Sequence, residues 1–184
     1  MKFLQFIKRA FGGRILRKEM EPVRLRGGAN FRSAKAVGIV YTDVDRETYD
    51  QLHEYGQHLK AKYDIKAVHT LAFVNSKEKK LPDYQRQLVH AEYFTRSDLN
   101  WHMRPVNNVS NFLQQPFDIL IDFSGGNVVP LNFIMKESLA KMKVGLRGTK
   151  TERYCDFIID MGDQFGMDKF IEQLDLYLSN SRIK

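Results

Sequence analysis

Cysteine is almost missing from this chain: Cys155 stands alone among 184 residues. One thiol can form neither an intrachain disulfide nor a cysteine-built zinc site, which suits a reducing compartment. Long apolar runs are missing too, since no stretch approaches the roughly 20 apolar residues that a membrane span requires. The start, MKFLQFIKRAFGG, is basic and then apolar, but Lys8 and Arg9 break the run before a signal-peptide core is complete. The expected location is therefore the cytoplasm, with the inner face of the membrane as a peripheral station. Metal-ligand spacing is lacking as well. His53, His58, His69, His90 and His102 include no i, i+4 pair of the kind a helical zinc site uses. Neither a full GxGxxG fingerprint nor a phosphate loop ending in Gly-Lys-Ser/Thr occurs, so no cofactor and no metal is implied.

Apolar material is plentiful despite the short runs. At 43% hydrophobic and 12% aromatic the chain is too apolar for disorder, and its length fits one domain with a real core. Positive charge is concentrated. Residues 1–35 hold ten Lys or Arg against Glu19 and Glu21, a net +8 that exceeds the +7 of the whole chain. Such a basic arm usually meets something anionic, either nucleic acid or a membrane surface.

Periodicity divides the chain into a basic N-terminal arm and linker, 1–34, and a body, 35–184. In the arm Leu4, Ile7, Phe11 and Ile15 recur on one helical stripe. Gly12-Gly13 would weaken a helix there by about 1 kcal/mol per glycine, which predicts one or two short helices over a long one. Pro22 and Gly27-Gly28 read as a linker. In the body, short apolar runs at Ala36–Tyr41, Ala67–Val74, Leu88–Thr95, Phe117–Phe123, Lys143–Leu146 and Phe157–Met161 read as strands. Helical patterns lie between them: one capped by Asp43 or Asp45 and running to Lys62, others at Asn107–Gln114 and Pro130–Lys141, and a last one around Phe170–Leu178. Alternation of this kind predicts an α/β fold with a single Rossmann-like, mostly parallel sheet of five or six strands covered on both faces.

The best candidate for chemistry is the turn Ser124-Gly125-Gly126-Asn127 with Asp122 just before it. A glycine-rich turn between a strand and a helix lets backbone N–H groups approach an anion, and Asp122 could bind a ribose or act as a base. The plainer account of the same residues is a tight turn with Asn127 capping the helix and Asp122 bonding to turn amides. Trp101, the only tryptophan, could line a pocket, but large aromatics more often pack a loop onto a sheet. Cys155 reads as a small core hydrophobe. No residue set amounts to a catalytic signature.

Ala36–Tyr41, Leu99-Asn100-Trp101, Phe117–Asp122 and Ala140–Gly145 together resemble an uncharacterised Bacteroidetes family of small basic α/β proteins, a domain of unknown function. The resemblance implies the fold and no residue roles. Phe117–Leu146 alone is similar to a segment of heptosyltransferase-type glycosyltransferases, which need two Rossmann-like domains where this length accommodates one. Two functions stay in play. One is a non-catalytic binding or adaptor domain whose arm presents Lys8, Arg9, Arg14, Arg17, Lys18, Arg24, Arg26 and Arg32 to RNA, a ribonucleoprotein or membrane headgroups. The other is an enzyme or sensor that binds a nucleotide or sugar phosphate at Asp122–Asn127. The arm's stripe could also pack on the body or on a second copy, so a homodimer stays open.

Overall fold

Apolar residues alternate along the central strands in a way that buries both sides of a sheet. In the first strand Val37, Ile39 and Tyr41 enter one core cluster, while Val40 enters the other. The computed structural model describes residues 2–77, 91–162 and 166–180. Six strands, β1 (Ala36–Asp43), β2 (Ala67–Val74), β3 (Ala91–Thr95), β4 (Ile119–Asp122), β5 (Met142–Leu146) and β6 (Phe157–Ile159), pair in the order β3-β2-β1-β4-β5-β6. Every pairing is parallel. This is the Rossmann-like order, in which strand succession reverses between β1 and β4. The part of the third strand expected at 88–90, and most of the charged loop after β2, lie outside the described residues.

Among the described residues five helices accompany the sheet: α1 (Lys2–Lys18), α2 (Arg46–Tyr63), α3 (Ser110–Gln114), α4 (Val129–Glu137) and α5 (Met167–Asn180). Leu52 and Leu59 of α2 join Phe170 and Leu174 of α5 on one face of the sheet. Phe112 of α3 and Leu131, Ile134 and Met135 of α4 cover the other. Asp45, rather than Asp43, caps α2 by accepting the Thr48 amide at 2.8 Å. Helix α1 lies on α4 through a third cluster of Leu16, Val129, Phe133 and Tyr154. The segment after it returns to the main core, where Phe31 is fully buried and its amide donates to the Leu178 carbonyl.

Two expectations change where the arm meets the body. Residues 2–18 form one long helix in place of one or two short ones, and Gly12 is the reason. A Cβ at Gly12 would stand 2.2 Å from the His102 carbonyl oxygen, so glycine is what lets the helix lie directly on the loop after β3. The gain from that packing outweighs the propensity cost. Trp101 does not pack a loop onto the sheet either. It is 59% exposed and meets Phe11 of α1 with ring centroids 5.8 Å apart.

Candidate functional site

Asp122 ends β4 beside the point where strand order reverses, the usual position of a ligand crevice in open α/β sheets. The turn that follows bends back on itself. Asp122 is 2% exposed, and its Oδ1 accepts both the Ser124 amide at 2.8 Å and the Ser124 hydroxyl. Burial raises the Asp122 carboxyl above its ordinary value, while the bonds from Ser124 and the Thr151 hydroxyl oppose that rise. The Ser124 hydroxyl in turn accepts the Gly126 amide at 3.2 Å.

Gly125 and Gly126 both take positive φ, 68° and 71°, which favours glycine. At Gly126 space adds a second requirement, because a Cβ would stand 2.1 Å from the Thr149 Cβ. The loop after β5 is thereby pressed against the turn. Asn127 does not cap α4. The N-cap is Val128, which offers no side-chain bond, and Pro130 starts the first turn.

The arm is held by contacts that its sequence does not announce. Leu16 is 4% exposed between Val129, Phe133 and Tyr154. Lys136, on α4 and also buried, donates to the carbonyls of Leu16 at 2.9 Å and Glu19 at 2.8 Å. Those carbonyls belong to the end of α1, where acceptors lack helical partners and a cation is favoured. Behind Lys136, the fully buried Lys143 of β5 donates to the Lys136 carbonyl at 3.0 Å. Burial and the nearby Arg24 guanidinium hold the Lys143 amine down at about 8.

The eight basic residues expected to face a partner divide in two. Arg9, Arg14, Arg17 and Lys18 of α1 are exposed and Lys8 is half-buried. Arg24 is turned inward, with 2% of its side chain exposed. It donates to the Ala140 and Lys141 carbonyls and pairs with Asp156 at 2.7 Å, which takes it away from any anionic surface. Arg26 stays exposed but leans on Glu21 and Asp156 at 3.5 and 3.7 Å, and the Arg32 Nε donates to the Ser179 carbonyl.

Beside the free cations of α1 stand apolar side chains in solvent: Phe6 is 69% exposed, Phe11 47%, and Trp101 leans on Phe11. The segment that follows adds Met20, Val23 and Leu25, each more than four-fifths exposed. The arm's stripe is therefore split. Leu16 and Ile15 face the body, while Phe11 faces solvent. The Phe3 and Leu4 side chains lie outside the description. Among the described residues no helix is long and apolar enough to cross a membrane, and no cluster of His, Cys, Asp and Glu could hold a metal.

No curated protein and no solved structure matches the chain. A model of a family of unknown function, DUF6913, matches residues 8–180, and the chain belongs to that family.

Proposed function

We propose that this DUF6913 protein is a binding or adaptor domain that docks on an anionic membrane surface through α1, with the Rossmann-like body held behind the helix. The observation that carries the proposal is the company kept by the free cations. Arg14, Arg17 and Lys18 form no ion pair with the described residues, and Phe6, Phe11 and Trp101 stand exposed around them. Exposed apolar side chains grouped in one region mark an interaction surface.

Magnitudes favour a reversible attachment. Each Lys or Arg near an anionic leaflet is worth about 1 kcal/mol. Three partly exposed aromatic rings add about 1 kcal/mol each as their remaining surface leaves water. A sum of about 6 kcal/mol suits a peripheral protein that comes and goes.

RNA would use the same cations, and base stacking on Phe or Trp is of comparable worth. The aliphatic exposure favours lipid: Met20, Val23 and Leu25 have no aromatic face to offer a base, whereas lipid accepts any apolar side chain. Cosedimentation with vesicles of neutral and of anionic lipid tests the proposal. Pelleting is expected with anionic vesicles only, weakened by Phe6→Ser/Phe11→Ser and weakened separately by Arg14→Gln/Lys18→Gln. Binding to single-stranded RNA with no vesicle binding would replace this reading by the nucleic-acid one.

A further inference from the structure

A cleft of about 600 Å³ opens between the side of α1 and the residues that follow β5. Arg9 and Arg17 enter it from the helix, about two turns apart. Lys150 and Arg153 enter it from the opposite wall, and Leu16 and Val129 line its apolar part. These four cations differ from the paired ones elsewhere in the protein. Arg24, Arg104, Lys141, Arg147 and Lys62 each have a carboxylate within 3.3 Å. Arg9, Arg17, Lys150 and Arg153 have no ion-pair partner among the described residues.

The one carboxylate among the lining residues, Glu152, accepts the Gly148 amide at 2.8 Å. Arg153 and Arg17 both lie near enough to the buried Tyr154 phenol to favour its ionised form against the effect of burial. Four like charges around one cleft repel one another more than a single carboxylate offsets, and a bound anion relieves that repulsion. The first turn of α4, uncapped by any side chain, adds a positive dipole end at Val129.

We propose that this cleft binds an organic phosphate carrying at least two negative charges. Guanidinium forks match phosphate oxygens in pairs, and a cleft of this size takes a ligand larger than inorganic phosphate alone. Leu16 and Val129 then receive the organic part. The same chemistry is available from a soluble phosphomonoester or from a lipid headgroup that ends in one. The site does not depend on the membrane reading, because two of its four cations lie outside α1.

Calorimetric titration of the full chain with pyrophosphate at constant ionic strength is the test. Lys150→Gln/Arg153→Gln alters two exposed side chains, and affinity is expected to fall at least about tenfold, or about 1.4 kcal/mol. Arg14→Gln/Lys18→Gln removes the same charge from α1 outside the cleft and is expected to leave affinity within about twofold. Equal losses in the two variants, or no binding by the unaltered protein, would overturn the proposal. Vesicles carrying a phosphomonoester lipid, compared with phosphatidylserine vesicles of equal surface charge, identify the source. A preference for the monoester that Lys150→Gln/Arg153→Gln removes assigns a lipid headgroup, and no preference alongside intact pyrophosphate binding assigns a soluble ligand. Loss of all vesicle binding with pyrophosphate binding intact would sink the docking reading and leave the cleft standing.

Discussion

The Lys136 ammonium, on α4, caps α1 by donating to the Leu16 carbonyl at 2.9 Å, across 120 residues of sequence. A second bond to the Glu19 carbonyl at 2.8 Å makes this lysine the clamp on the end of α1. The bond is charge-assisted and nearly out of solvent, so it is of the stronger kind.

Lys136→Met keeps an unbranched apolar stem, one atom shorter, while removing both bonds. The expected cost is about 2–3 kcal/mol, as for a buried hydrogen bond to a charged group. Thermal unfolding measures it, and limited proteolysis should show faster cleavage near residues 18–24 than in the body. An unchanged melting temperature with unchanged cleavage would mean that the clamp contributes nothing.

Gly12→Ala should act with opposite signs on the helix and on the protein. In a peptide of residues 1–18, alanine should raise helicity, being about 1 kcal/mol better than glycine in a helix. In the full chain the new Cβ meets the His102 carbonyl, and an overpacking cost of about 1–3 kcal/mol is expected. Circular dichroism of the peptide and thermal unfolding of the protein report the two effects separately.

Lys143 gives the stability a dependence on alkaline pH. Its folded pKa of about 8 lies below the ordinary 10.5, so above pH 8 the folded state has shed a proton that the unfolded chain still holds. Stability therefore rises with pH in that window, by about 1 kcal/mol between pH 7.5 and 9. Above pH 9 the trend should flatten. Burial pushes the Cys155 thiol up, and an unfolded chain whose thiol ionises first loses protons sooner than the folded one. Denaturant titrations across this range should show the rise, and Lys143→Met should abolish it.

The body of the fold was legible in the sequence because its signals are local. Residues 37–41 and 119–121 are continuous apolar runs, and a strand buried on both faces has no other appearance. The arm was less legible because its structure depends on what it rests against. A lysine in a helical pattern reads as solvated, and nothing near Lys136 in sequence announces that α1 will cross it. Gly12 reads as a helix breaker until the His102 carbonyl fills the space where a side chain would be. Arg24 reads as one cation in a basic run, yet Asp156 and two carbonyls draw it inside. At the SGGN turn the glycines were visible, but their main neighbours, Thr149 and Thr151, follow a later strand and carry no motif.

The most direct test of membrane docking uses the protein's own reporter. Trp101 is its only tryptophan and sits on the exposed aromatic corner with Phe11. Its fluorescence should be followed as vesicles of neutral and then of anionic lipid are added, with brominated acyl chains as a quencher. The account predicts a blue shift and strong quenching with anionic vesicles alone, as the indole leaves water for the lipid interface. An emission spectrum unchanged by anionic vesicles, with no quenching by brominated lipid, would contradict it.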